Sequence, residues 1–141
     1  MLRPSRLIPF VLFGVLACGS DHSTGPAVNL TGSWSGVENI SGGGVSCSIA
    51  LTMQLTQTAG TFNGTYSNGS INCNGQSQTG ITGSIINGTI TGSSVAFDVD
   101  DPAAHQTGTV AGNTMNGNAH WSVTTSSGTV VLTGTWSATK P

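Results

Sequence analysis

Charge is the scarcest property of this sequence. Charged residues make up 6% of its 141 positions, against roughly 25% in an ordinary soluble domain. Arg3, Arg6 and Lys140 are its cations, so beyond the first six residues one lysine stands against five carboxylates. Phosphate and anionic lipid headgroups are bound by clusters of Lys and Arg. This composition therefore excludes nucleic acid as a partner and excludes a basic membrane-binding face.

Residues for the common catalytic arrangements are also scarce. Glu38 is the single glutamate, so no glutamate pair exists for a glycosidase-type dyad. Serine and threonine are abundant, but no serine lies in a Gly-x-Ser-x-Gly elbow between a strand and a helix. We therefore expect no enzymatic activity, no catalytic residues and no cofactor.

One acidic cluster stands out: Asp98, Asp100 and Asp101, with His105 close behind. Oxygen ligands of this kind suit a hard cation, but the glutamate of an EF-hand loop is missing. Asp98 and Asp100 fall on the outward face of a strand, and Asp101 with Pro102 begins a turn. We interpret the cluster as a solvated face and turn, with a cation site as the alternative, and predict no metal. Two further histidines are expected at the surface: His22 and His120.

Glycine is plentiful, at 21 residues, and apolar residues alternate with small polar ones. Alternation with a period of two indicates strands with one buried face. Turn signals such as Gly112-Asn113 separate these runs, and Asn87-Gly88 predicts a kink or bulge within the fourth strand. The eight predicted strands are 30–38, 47–58, 61–67, 79–91, 94–100, 104–111, 114–125 and 128–138.

Short connections between these strands predict antiparallel hairpins. Closing the meander into a barrel removes its unpaired edges. A repeat supports closure, because Leu30-Thr-Gly-Ser-Trp34 recurs as Leu132-Thr-Gly-Thr-Trp136. The two copies should pair as first and last strands, with each glycine making room for a tryptophan. The predicted fold is all-β, an eight-stranded antiparallel up-and-down meander closed into a small barrel.

The N-terminal residues have the layout of an export signal. Arg3 and Arg6 precede an apolar run, 7–17, that is too short to span a bilayer as a helix. The residues Val15-Leu-Ala-Cys18 resemble the lipobox of bacterial lipoproteins, which implies cleavage before Cys18 and acylation of its thiol. The alternative is an ordinary signal in which Cys18 is incidental. The expected organisation is a signal peptide at 1–17, a lipidated cysteine and flexible tether at 18–29, and a barrel domain at 30–141.

Cysteine number agrees with this organisation. If Cys18 carries lipid, Cys47 and Cys73 remain, an even number in an oxidising compartment. We expect them to form a disulfide, with a pair of buried free thiols as the alternative. A zinc site is disfavoured because neither cysteine has a second ligand at zinc-like spacing.

The start Thr31-Gly32-Ser-Trp34, followed by a meander, resembles the calycins, which include lipocalins and avidins. It is more similar to small bacterial lipoproteins that continue with a Cys-x-Ile/Leu strand, here at 47–51, and with glycine-rich hairpins. The likeness covers nearly all of 30–141 and implies a calycin-like barrel in the cell envelope. Since no aspartate directly follows Cys18, lipoprotein sorting implies the outer membrane. The likeness to avidins ends at the first strand, so biotin binding is not predicted.

Aromatic side chains on the inward faces are the candidate ligand-binding residues. An eight-stranded barrel has room inside for side chains or for one small ligand, so these aromatics line an apolar pocket or fill the core. We therefore expect a non-catalytic, lipid-anchored envelope barrel. The most specific version of this expectation is that the barrel binds a small apolar ligand inside. The alternatives are a protease-inhibitor or other protein-binding module using segment 19–29, and a structural or adhesive protein contacting carbohydrate. The aromatic residues are Trp34, Phe62, Tyr66, Phe97, Trp121 and Trp136.

Overall fold

The computed structural model describes residues 28–141, which form eight β-strands joined by short turns. No helix long and apolar enough to cross a membrane occurs in this range. The predicted signal peptide at 1–17, Cys18 and the tether as far as residue 27 lie outside the described residues. The strands are β1 (Gly32–Gly42), β2 (Val45–Thr58), β3 (Thr61–Cys73), β4 (Gln76–Thr91), β5 (Ser94–Val99), β6 (Asp101–Ala111), β7 (Thr114–Thr125) and β8 (Gly128–Thr139).

The strands close into a barrel in chain order, which confirms the predicted meander. Each strand pairs antiparallel with the next, and β8 pairs with β1. The turns after β2, β4 and β6 lie at one end, here called the lower end, together with the residues that enter β1 and leave β8. The turns after β1, β3, β5 and β7 lie at the upper end. No strand of the closed sheet is left with an unpaired edge.

The pairing of β1 with β8 places the two sequence repeats side by side, as predicted, with Ile40 opposite Gly134. The predicted reason for the glycines is wrong. A Cβ on Gly134 would collide with the carbonyl oxygen of Asn39, so this glycine lets the β1 backbone approach closely. A Cβ on Gly32 would meet the side chain of Lys140 rather than a tryptophan.

Replacing Gly134 by alanine should therefore destabilise the barrel. The new methyl group forces β1 and β8 apart, and overpacking of this kind costs about 1–3 kcal/mol of unfolding free energy. Urea unfolding would measure the difference. Gly60→Ala is the matched control, because its Cβ would lie 3.5 Å from the carbonyl oxygen of Ile90, an ordinary contact. Equal unfolding midpoints for the two variants would contradict this role of Gly134.

The lower end is closed by the residues that lead into β1. The first strand begins at Gly32 rather than at residue 30, because the φ of +129° at Gly32 turns the chain and only glycine adopts that backbone conformation readily. Leu30 is fully buried beneath the barrel. The Trp34 indole N–H donates a hydrogen bond to the Leu30 carbonyl over 2.7 Å, and Lys140 Nζ donates to the Thr31 carbonyl over 2.5 Å. The residues that lead into β1 therefore close the lower end of the barrel.

At the upper end, five strands run beyond their predicted limits. β1 ends at Gly42 rather than 38, and β3 ends at Cys73 rather than 67. The other three start early: β2 at Val45 rather than 47, β4 at Gln76 rather than 79, and β6 at Asp101 rather than 104. The turn-rich composition of these segments hid their pairing, since Ser, Asn and Gly are typical of turns. The predicted irregularity in β4 is confirmed, because the register with β5 shifts after Ile86 and Asn87 has a φ of 54°.

Cys47 and Cys73 form the predicted disulfide. The two residues are direct partners across β2 and β3, with Cα atoms 4.1 Å apart. Their bridge joins the two strands close to the upper end, where the β3–β4 hairpin projects beyond the short β5–β6 connection. It therefore links the β1–β2 hairpin to the β3–β4 hairpin.

Candidate ligand site inside the barrel

Three of the six predicted ligand-binding aromatics pack against one another inside the barrel. The ring centroids of Phe62 and Phe97 are 5.8 Å apart, and those of Phe97 and Trp136 are 5.1 Å apart. Both contacts are edge-to-face, the geometry that aromatic pairs favour. The other three aromatics stand apart toward the two ends of the barrel: Trp34, Tyr66 and Trp121.

The space beside these rings is small. A cavity of about 20 Å³ is lined by Phe97, Trp136, Met53, Ile85 and Glu38, among others. Such a volume holds about one water molecule. The aromatics therefore fill the core as they stand, and an apolar organic ligand would have to displace at least one of them.

Glu38 is an inward-facing carboxylate. From the sequence we counted its charge but did not assign the side chain to the barrel interior. It lies near the middle of β1, and its side chain is buried at 7% exposure. The signal was present in the alternation, because Trp34, Gly36, Glu38 and Ile40 fall on one face with a period of two. That face is the barrel interior, as the burial of all four residues shows.

Two side chains from other strands, Gln106 of β6 and Trp121 of β7, contact this carboxylate. The Trp121 indole N–H donates to Glu38 Oε1 over 2.6 Å. Gln106 Nε2 lies 3.4 Å from each of the two carboxylate oxygens. Since β6 and β1 are separated by β7 and β8 around the sheet, Gln106 reaches Glu38 across the lumen. We call Glu38, Gln106 and Trp121 the Glu38 site.

The electrostatics of the Glu38 site are unbalanced. Burial raises the pKa of Glu38 from 4.5 to about 7, although hydrogen bonds from Trp121 and Gln106 act in the opposite direction. Gln106 is 1% exposed, and its Oε1 has no hydrogen-bond partner among residues 28–141. Lys140, the one Lys or Arg in that range, lies at the lower end against Thr31. Within residues 28–141, the carboxylate therefore has no Lys or Arg beside it, and the amide oxygen has no donor.

The Glu38 site is reached from the upper end of the barrel. Val123 faces inward by its position in β7, yet it is 40% exposed, and it pairs with the half-buried Val130 of β8. The upper end of the barrel is thus open to solvent on the inward face of the β7–β8 hairpin. Trp121, also half-buried, lies two residues deeper on the same face of β7. Its indole separates Glu38 from the opening.

Asp98 is the one member of the acidic cluster that departs from the predicted solvated face, because Asp100 and Asp101 are exposed. Asp98 does lie on the outward face, but it is 6% exposed. Its carboxylate accepts a hydrogen bond from Asn87 Nδ2 over 2.7 Å and lies 2.5 Å from His105 Nδ1. The bulge at Asn87 brings that amide over the carboxylate, which sequence alternation alone does not reveal.

Asp100 is exposed, as predicted, but hydrogen bonds hold its carboxylate in place. Its φ of 61° turns the residue out of the strand, and its carboxylate accepts hydrogen bonds from Tyr66 Oη over 2.5 Å and from the Ser84 backbone N–H over 2.6 Å. Burial and the nearby carboxylate raise the pKa of Tyr66 to about 12. Tyr66 thus ties β3 to the β5–β6 connection.

The rest of the cluster agrees with the predicted turn. The Asp101 carboxylate accepts a hydrogen bond from the Ala103 backbone N–H over 2.8 Å, which is a turn-forming contact. His120 is exposed, as expected, and His22 lies outside the described residues. Within residues 28–141, no three His, Cys, Asp or Glu side chains converge in an arrangement that could hold a metal ion.

The Glu38 site therefore combines two buried acceptors with a partly exposed neighbour, Trp121, inside the barrel. Its chemistry is recognition by hydrogen bonds and charge. Comparison of the chain with protein-family models, with curated proteins and with solved structures finds no match.

Proposed function

We propose that the chain is a non-catalytic, lipid-anchored β-barrel of the cell envelope that binds a small ligand inside the barrel. The observation that carries this proposal is the Glu38 site, where a buried carboxylate and the free oxygen of Gln106 lie behind the upper opening. An unpaired buried polar group costs about 1–3 kcal/mol. Arrangements that sacrifice stability in this way are typical of functional sites.

Three observations support the anchored location. Residues 1–17 have the pattern of an export signal, and Cys18 falls at the lipobox position. The Cys47–Cys73 disulfide suits an oxidising compartment and leaves Cys18 as the remaining cysteine. The chain enters the barrel at the lower end through Leu30. A lipid on Cys18 would therefore hold the lower end toward the membrane, proposed to be the outer membrane, and leave the Glu38 site opening away from it.

A ligand retained during purification would test the binding function. The full mature chain is extracted from its own membrane in neutral detergent and weighed intact by native mass spectrometry, then weighed again after denaturation. We expect extra mass on the native chain that is released on unfolding. The Glu38→Gln chain, prepared identically, should carry less of it. Identical native and denatured masses for the parent would count against a resident ligand.

Replacing Cys18 by alanine tests the anchor. The variant should move from the membrane to the soluble fraction and should lose incorporation of labelled fatty acid, because several acyl chains are needed for stable anchoring and all depend on this cysteine. Ser20→Ala is the control, since it leaves the cysteine in place. An unlabelled parent, or a variant that stays with the membrane, would contradict lipidation.

One observation favours the adhesive alternative as a second candidate. A shallow groove runs over the outer surface of β1, β7 and β8 around Val37, which is 52% exposed. Its amide and hydroxyl groups suit carbohydrate, and binding on a glycan array that is lost in an Asn116→Ala, Asn118→Ala chain would support that role. The protease-inhibitor alternative depends on segment 19–29, of which only residues 28 and 29 are described, so it stays a prediction. The polar residues lining the groove are Asn39, Asn116, Asn118, Thr135 and Ser137.

A further inference from the structure

We propose that the ligand of the Glu38 site carries a protonated amine on a slim apolar body. Its ammonium group would bind between the Glu38 carboxylate and the Gln106 Oε1 atom after the Trp121 indole swings aside and the Gln106 amide, whose Nε2 now faces Glu38, turns over. This inference rests on the proposed function, because it assigns the chemical class of a ligand inside the barrel.

Two buried acceptors, one without a hydrogen-bond donor and one without a balancing charge, point to a cation with several N–H donors. Gln106 Oε1 needs one donor, and Glu38 needs both donors and a positive charge. An ammonium group supplies three donors and the charge together. A neutral apolar ligand would leave Gln106 unpaired, and a carboxylate ligand would be repelled by Glu38. The chain's own Lys140 is held at the opposite end of the barrel.

Aromatic rings next to the carboxylate favour the same class. Phe97 and Trp136 line the small cavity together with Glu38. Cations are attracted to the faces of aromatic rings, most strongly where water is excluded. A carboxylate with adjacent aromatic walls therefore offers an ammonium group both charge pairing and cation–π contact.

The Trp121 indole occupies the space that the ligand would take. The cavity of about 20 Å³ borders Glu38 on the side of Phe97 and Trp136, and neither Gln106 nor Trp121 lines it, so the ammonium group would take the position of the indole N–H. The body would take the volume that the Trp121 indole now fills and would extend toward Val123 and Val130 at the opening. The ligand N–H would replace the indole N–H on Glu38, so the carboxylate keeps its hydrogen bond throughout the exchange.

The test is a titration of the isotope-labelled full mature chain followed by the indole N–H resonance of Trp121. The probes are n-butylammonium and two compounds of similar size, the neutral 1-butanol and the anionic butyrate. Measurements at about pH 8 keep the amine protonated, since amines of the lysine type have a pKa of about 10.4. We expect a saturable shift with butylammonium, with a Kd of about 1 mM. Binding of 1-butanol should be at least about tenfold weaker, in keeping with loss of a charge-assisted hydrogen bond, and butyrate should not bind.

Two variants separate the Glu38 site from general charge effects. Glu38→Gln keeps the side-chain shape and should weaken butylammonium about 10- to 100-fold, because it removes a charge-assisted hydrogen bond. Asp101→Asn removes an exposed carboxylate that bonds only its own turn and should leave the affinity unchanged. Equal losses in both variants would overturn the proposal.

The remaining outcomes distinguish the ligand class from the function. Preferential binding of 1-butanol or butyrate would overturn the ammonium class and leave the binding function standing. A ligand released from the native chain that lacks a basic nitrogen would do the same. If no probe binds and the native chain carries no ligand, both proposals fail. A released ligand with a basic nitrogen, together with loss of binding in Glu38→Gln, would support both.

Discussion

Replacing Glu38 by glutamine is expected to stabilise the empty barrel by about 3 kcal/mol at about pH 8. Burial raises the pKa of this carboxyl group from 4.5 to about 7, and each unit of such a difference corresponds to about 1.4 kcal/mol. Glutamine removes the cost of the buried charge. Its amide also offers a donor to Gln106 Oε1, which has no hydrogen-bond partner among residues 28–141, once the Gln106 amide, whose Nε2 now faces position 38, turns over.

The stability difference between the parent and Glu38→Gln should depend on pH, in the direction set by the raised pKa of Glu38. A carboxyl group with a raised folded-state pKa stabilises the fold fully below its unfolded value, here 4.5, and that stability is lost as the pH rises through about 7. Urea unfolding across this window should show the parent losing stability relative to Glu38→Gln. Asp101→Asn should follow the parent. A constant difference between parent and Glu38→Gln across the window would show that Glu38 is not buried as described.

This expected gain clarifies why a glutamate inside the barrel points to function. A barrel selected only for stability would be better served by glutamine or an apolar residue at position 38, since natural proteins give up stability chiefly where activity requires it. A bound ammonium ligand would offset part of the cost, because a ligand that binds only the folded state raises its stability by mass action. Butylammonium should therefore raise the unfolding midpoint of the parent and leave that of Glu38→Gln nearly unchanged.

Removing the disulfide should have an effect of similar size and opposite sign. Cys47 and Cys73 are 26 residues apart. Cross-linking a loop of that length lowers the conformational entropy of the unfolded chain and so raises the unfolding free energy by about 3.5 kcal/mol. The Cys47→Ala, Cys73→Ala chain should lose about that much unfolding free energy in urea. That loss is a large share of the roughly 5–15 kcal/mol that stabilises a typical domain.

Reduction provides the control for the disulfide prediction. A reductant should lower the stability of the parent toward that of the double variant and should leave the double variant unaffected. Cys18→Ala should keep the full stability of the barrel, because that cysteine is not in the disulfide. A double variant as stable as the oxidised parent would show that the bridge does not restrict the unfolded chain.

Local chemistry explains why the strands and their order were predictable. Period-two alternation and turn residues identified eight strands, and the Leu-Thr-Gly-x-Trp repeat identified the pair that closes the barrel. The errors lie where backbone conformation overrides the pattern. The φ of +129° at Gly32 moves Leu30 out of the strand and under the barrel, and the φ of 61° at Asp100 turns its carboxylate toward Tyr66.

Only one part of the candidate site, the inward position of Glu38, could be predicted from the sequence. Parity along β1 places Glu38 inside, but its partners depend on which residues meet across a closed barrel. Gln106 and Trp121 are 68 and 83 residues away from Glu38, and no local pattern links them to it. The burial of Asp98 likewise depends on a bulge in a neighbouring strand. Alternation along the strands predicted that the aromatic residues face inward. It could not tell whether they fill the core or line a pocket, because that depends on how their rings pack.

The titration of Glu38 itself is the most direct measurement of the buried site. Glu38 is the only glutamate in the sequence, so labelling the glutamate side-chain carboxyl carbon yields a single resonance without further assignment. Its chemical shift should titrate with a midpoint near 7 and should move to lower pH when butylammonium is added, because a bound cation favours the carboxylate. A midpoint near the ordinary value of 4.5, unchanged by butylammonium, would contradict a buried acceptor site in this barrel.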